Sequence, residues 1–150
     1  MIAATILGCA GPALSRDEAR FFAEAAPWGF ILFARNLGSA DEIRALCADL
    51  RAAVGRQAPI FIDQEGGRVQ RLRPPLARDW PAPLDQIRQA GAMAPRVMEL
   101  RYRIIAAELR ALGIDANCAP TADVAGPATH PFLRDRCLGE TPAAVVANAR

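Results

Sequence analysis

An α/β fold built from repeated strand–helix units is what this sequence predicts, on three observations. Short apolar runs bounded by turn residues alternate with stretches of helical periodicity. Two of those helical stretches open on the same Ser-x-x-Glu pattern, Ser15 with Glu18 and Ser39 with Glu42, in which each side chain satisfies an orphan amide at a helix start. The run Gly29 to Ala34 carries no polar residue, the mark of a strand buried on both faces, and the short apolar run Pro59 to Ile62 reads as a buried strand. Repeated βα units imply a parallel sheet with right-handed crossovers.

Ala3 to Leu7 is the first strand, followed by the turn Gly8-Cys9-Ala10-Gly11-Pro12. The helix capped by Ser15 runs to about Ala26, where Pro27 stops it. After the second strand, Gly29 to Ala34, the helix capped by Ser39 places Ile43, Leu46, Cys47, Leu50 and Val54 on one stripe, with Gly55 as its left-handed terminator. Strand three is Pro59 to Ile62. Residues 74–83 hold four prolines and read as an ordered loop without regular structure. A long helix is expected from about Pro95 to Leu112, with Val97, Leu100, Ile104 and Ala107 on its apolar face. Ile114 to Ala119 reads as a fourth strand, interrupted by Asp115 and Asn117, whose simplest reading is buried and hydrogen-bonded. Thr141-Pro142 opens a last helix that runs to Arg150.

One hundred and fifty residues, half of them hydrophobic, suffice for one domain with a core. Net charge is +2, with arginine supplying all eighteen basic residues, so there is no electrostatic case for nucleic acid or an anionic membrane. Glu99 and Arg103 form an i,i+4 pair, and with Arg101 and Arg110 they are expected on a solvated helix face. Cys9, Cys47, Cys118 and Cys137 lack metal-type spacing and there is one histidine, so a zinc site is not expected. Reduced thiols, no basic n-region before Cys9 and no run of ~18–20 apolar residues point to the cytoplasm. The first βα turn is no dinucleotide fingerprint, and neither a P-loop nor a Gly-x-Ser-x-Gly elbow is present.

The chemistry concentrates at Asp63-Gln64-Glu65-Gly66-Gly67-Arg68-Val69-Gln70-Arg71, where the third strand stops. Polar groups massed at the carboxyl end of a buried strand are costly unless they are paired or face a ligand, and in parallel α/β proteins ligands bind at that end. Asp63 is a candidate acceptor for substrate hydroxyls, or else a strand-end cap. Gly66-Gly67 permits positive φ or a close backbone approach. Arg68 and Arg71 share a face in a helical or tight-turn conformation, and Arg68 is a candidate to hold Asp63 or Glu65 through a bidentate pair.

This block resembles the Asp-Gln-Glu-Gly-Gly-Arg-Val-Gln-Arg signature of bacterial β-N-acetylhexosaminidases of glycoside hydrolase family three. Trp28 to Asn36, Ala119-Pro120-Thr121-Ala122-Asp123-Val124 and the Arg136 segment resemble family segments in the same order. Arg134 stands where the family commonly has glycine, and Leu138 where an aromatic is common. The resemblance implies the N-terminal half of a TIM (β/α)₈ barrel, truncated after about four βα units, whereas length alone favours an open doubly wound sheet. It implies a hydrolase that removes terminal non-reducing β-linked N-acetylglucosamine, typically from muropeptides in cell-wall recycling, by a retaining mechanism without cofactor or metal and with no obligate protein partner. Asp63, Arg71 and Arg136 then bind the sugar. The family's nucleophile and its acid/base histidine match no residue here, and His130 lies off that motif and reads as structural. No catalytic residue is therefore assigned, and the 150-residue chain alone is expected to be inactive. A non-catalytic open α/β sugar-binding module and an inactive remnant stay open as alternatives.

Overall fold

The computed structural model describes every residue from Met1 to Arg150. The chain forms two compact units, Met1–Asp63 with Glu108–Ala116, and Gln64–Ala107 with Asn117–Arg150.

In the first unit, β1 (Ala3–Leu7), α1 (Arg16–Ala25), β2 (Pro27–Leu32), α2 (Ala40–Val54) and β3 (Ile60–Ile62) follow in order. β2 pairs in parallel with both β1 and β3, and the strand order is β1-β2-β3-β6, with β6 at Ala116–Asn117. Each new strand is added on the same side. A doubly wound sheet reverses direction at a switch point, so this order is that of a barrel segment and not of the open alternative. β1 is the edge, and Ile2 before it and Ile6 within it are exposed.

Both capping boxes form: the Ser15 and Ser39 hydroxyls accept from the Glu18 and Glu42 amides, while the two glutamates accept from the serine amides. The stripe of α2 is buried at Ile43, Leu46, Cys47 and Leu50, and Gly55 ends the helix at φ 65°. Buried Phe22 of α1 meets Phe30 of β2 edge-on, ring centres 5.0 Å apart. Strand β2 starts at Pro27 and ends at Leu32, two residues earlier at each end than the apolar run suggests, because Phe33 to Asn36 turns into a short 3₁₀ segment. Asn36 fixes that turn: its amide accepts from Phe33 N–H and donates to the carbonyls of Cys9 and Gly11.

The second unit begins with a hairpin that the periodicity does not announce. β4 (Gln64–Gly66) pairs antiparallel with β5 (Val69–Gln70). It continues with α3 (Pro83–Ala90), α4 (Ala94–Ala111, whose last turn belongs to the first unit), α5 (Pro131–Arg134) and α6 (Pro142–Ala149). Pro83 opens α3 at its first turn, so the proline cluster conceals a helix start. On α4 the buried positions are Ala94, Met98, Arg101, Ile105 and Leu109. The expected face of Val97, Leu100, Ile104 and Ala107 is off by one position, and Leu100 and Ala107 are exposed. Met98, Leu138 and Val145 form one apolar cluster and Leu84, Ala125 and Cys137 another. Leu138, at the family's aromatic position, thus fills the core. No helix is long and apolar enough to cross a membrane.

Candidate functional site

Asp63 follows β3 directly and is half-buried at the end of the first unit. Everything else in the signature block belongs to the second unit, and it is organised by three buried polar side chains.

Gln64 is fully buried. Its carbonyl oxygen accepts from the amides of Arg71 and Leu72 at 3.0 and 2.9 Å, and its amide donates to Leu72 O at 2.9 Å. A side-chain amide thereby acts as a substitute strand and sets the backbone of Arg71. The Gln64 backbone is held by Asn117, whose side chain accepts from Gln64 N–H and donates to Gln64 O, both at 2.9 Å. Gln70 does the same for the following loop, donating to Leu72 O and Arg78 O and accepting from Trp80 N–H. Sequence alone singles out neither glutamine; the available signal is their place on either side of Gly66-Gly67.

Arg101 is the third. Expected on a solvated face, it is 1% exposed, and it donates to Glu65 O, Pro81 O and the Gln86 side chain. Its guanidinium lies 5.4 Å from the Trp80 ring centre and 5.8 Å from that of Tyr102. Buried cations persist when hydrogen-bonded in this way, although burial lowers its proton affinity. Burial likewise pushes the Tyr102 hydroxyl up to about 12. Gly66 and Gly67 have φ of 106° and 60°, so the expectation of positive φ holds. A Cβ on Gly66 would overlap Arg101 Nη2 and stand 2.7 Å from Pro81 O.

Glu65 is the buried carboxylate of the block, and Arg136 takes it side-on, Nε to Oε2 at 2.8 Å and Nη2 to Oε1 at 2.7 Å. Arg68 does not hold Glu65, as the sequence suggested. It pairs with Asp135 at 2.8 Å and stacks over Phe132 at 3.9 Å. Arg68 lies in the turn of the hairpin, where Asp135 and Phe132 supply its partners. Arg71 follows β5 directly. The Arg136 backbone is fixed by Thr121, whose hydroxyl donates to Arg136 O at 2.6 Å. Arg134, at the family's glycine position, spans Gly126 O and Glu140.

His130 accepts from Phe132 N–H at the start of α5, the structural role expected of it. Asp115 is half-exposed, not buried: it accepts from Ile60 N–H and from Arg51. Asn117 has the hydrogen-bonded structural role expected of it. No three His, Cys, Asp or Glu residues are grouped to hold a metal ion, and the four cysteines are free thiols.

The geometry has close counterparts. A β-hexosaminidase of Methylococcus capsulatus is 40% identical over 93% of this chain and 41% of its own length. One from Xanthomonas oryzae is 35% identical over 97% and 43%. Among solved structures, NagZ from Neisseria gonorrhoeae superposes with a TM-score of 0.88 at 27% identity, over 99% of this chain and 44% of that one. A glycoside hydrolase family 3 β-N-acetylglucosaminidase from a Paenibacillus species gives 0.78 at 30% identity. The chain thus spans less than half the length of these relatives, and its successive parallel βα units are the N-terminal part of a TIM-type barrel. The glycosyl hydrolase family 3 N-terminal domain model matches residues 7–150, and the chain belongs to that family.

Proposed function

We propose that this chain supplies sugar-binding residues to a retaining β-N-acetylhexosaminidase acting on terminal β-linked N-acetylglucosamine. The observation that carries the reading is Arg136, a quarter-exposed guanidinium gripped side-on by a buried carboxylate. Such an arrangement presents a fixed fork of donors to a neutral polyol. NagZ from Neisseria gonorrhoeae has been solved with N-trifluoroacetyl-D-glucosamine, which supports an N-acylated sugar as the ligand class. In this proposal Arg71 and Arg136 donate to sugar hydroxyls, and Asp63, on the family motif, accepts from them. Muropeptides are the proposed natural source of the sugar and the cytoplasm the proposed site of the reaction, supported by the four free thiols.

A retaining glycosidase needs a nucleophile and a proton donor flanking the scissile bond, and none of the residues described takes either role. Binding is therefore the measurement. Titration of the purified chain with N-acetylglucosamine, followed by NMR, should saturate. Asp63→Ala, Arg71→Ala and Arg136→Ala should each weaken binding tenfold or more, and an aryl N-acetyl-β-glucosaminide should stay intact. Absence of saturable binding, or equal binding by all three variants, overturns the proposal.

A further inference from the structure

We infer that Glu65 is a positioning residue for Arg136, fixing the direction in which that arginine offers its donors to the sugar. The inference rests on the sugar-binding reading above and deepens it. Exposure separates the roles of the two partners. The Glu65 side chain is 3% exposed, out of reach of a ligand arriving from solvent, whereas that of Arg136 is 26% exposed. The pair engages Nε and Nη2 of Arg136, which turns the Nη1 end of the planar guanidinium away from Glu65.

The carboxylate is itself immobilised. Its residue lies inside β4, between Gln64 and Gly66, which pair with Gln70 and Val69. Its carbonyl is taken by buried Arg101, and the Gln64 backbone before it is clasped by Asn117. Arg136 is tethered from its own side by Thr121. A long arginine side chain loses much rotamer freedom on ordering. Here that loss is incurred on folding, so binding a sugar does not incur it again.

Two readouts on the intact chain test this. The first is the Arg136 guanidinium ¹⁵N–¹H signal, assigned with Arg136→Lys. The wild type should show a downfield Nε–H slow to exchange with water, and Glu65→Gln should shift it upfield and speed its exchange. The second is affinity for N-acetylglucosamine, expected to fall about tenfold in Glu65→Gln and less in Glu65→Asp, which keeps the charge. Glu65→Asp also serves if Glu65→Gln fails to fold, since a shorter carboxylate must still alter the Nε–H signal. Unchanged affinity and an unchanged signal in a folded variant overturn the inference while leaving the sugar reading intact. A fall in affinity with an unchanged guanidinium signal also overturns it, because Glu65 then acts otherwise than through Arg136. If the wild-type chain binds no sugar, the functional reading fails first and the positioning role with it.

Discussion

Glu65 and Arg136 stand 71 positions apart in the chain and meet through two parallel hydrogen bonds of 2.8 and 2.7 Å. Strand β4 supplies the carboxylate and the turn after α5 supplies the guanidinium, so the pair joins a strand and a turn of the second unit that lie far apart in sequence. Removing Arg136 strands the buried Glu65 carboxylate, and breaking a buried pair in that way costs about 3–5 kcal/mol. Replacing both avoids that penalty. Arg136→Met should therefore lower the unfolding free energy by about 3 kcal/mol, and Glu65→Ala with Arg136→Met should lower it by less than the sum of the two single changes. Urea unfolding of the four proteins measures the coupling, expected at about 2 kcal/mol.

Gly66 and Arg101 are similarly interdependent. At φ 106° a side chain is strained, and here it would also meet Arg101 Nη2 and Pro81 O. Gly66→Ala should cost about 3 kcal/mol or more, combining backbone strain with displacement of the guanidinium. Arg101→Lys should cost about 2 kcal/mol, because one ammonium cannot reproduce the planar fork that serves Glu65 O, Pro81 O and Gln86. Thermal unfolding of both variants should give midpoints well below wild type.

These two relationships also mark what a linear reading reaches. Capping boxes and the α2 stripe are legible because their partners lie three or four residues apart, within the period of a helix. Asp63, Arg71 and Arg136 enter as sugar-binding candidates through the family resemblance of whole motifs, not through any local period. The pairing of Arg136 with Glu65, and of Arg68 with Asp135, depends on how distant loops fold back. No local period encodes that. Arg101 misled for a related reason: with Glu99, Arg103 and Arg110 nearby it looks solvated, yet it lies on the stripe of Ala94, Met98 and Ile105. The β4–β5 hairpin escaped because its strands are two and three residues long and held by glutamine side chains, not by apolar alternation.

Asp115 offers a test in the first unit. Its carboxylate accepts from Ile60 N–H at 2.8 Å and from Arg51 at 2.7 Å, while its own N–H donates to Ile60 O. Arg51 also donates to Gly113 O and Ala58 O. Asp115→Ala leaves a strand amide and a cation short of an acceptor, at a cost of about 1–3 kcal/mol. Asp115→Asn keeps the carbonyl oxygen facing Ile60 and should recover about half. If Asp115→Asn is as damaging as Asp115→Ala, charge and not the hydrogen bond to Ile60 is the main contribution. Hydrogen exchange of the Ile60 amide distinguishes the two.

Cys47 links burial to pH. Enclosure in the core of the first unit pushes its thiol up to about 11 from an ordinary value of 9.0. The folded value lies above the unfolded one, so the contribution of the protonated thiol is complete below pH 9 and is lost as pH rises to about 11. Relative to Cys47→Ala, the wild type should lose about 2–3 kcal/mol of stability across that window. The same burial keeps the thiolate from forming at neutral pH, where the thiolate is the reactive species. Cys118 is exposed, whereas Cys9, Cys47 and Cys137 are buried. An aromatic disulfide reagent at pH 8 should accordingly modify one thiol per folded chain quickly, abolished in Cys118→Ser, and the other three only as fast as the protein opens. Rapid modification of Cys47 in the native state would show that the α2 stripe is not packed as described.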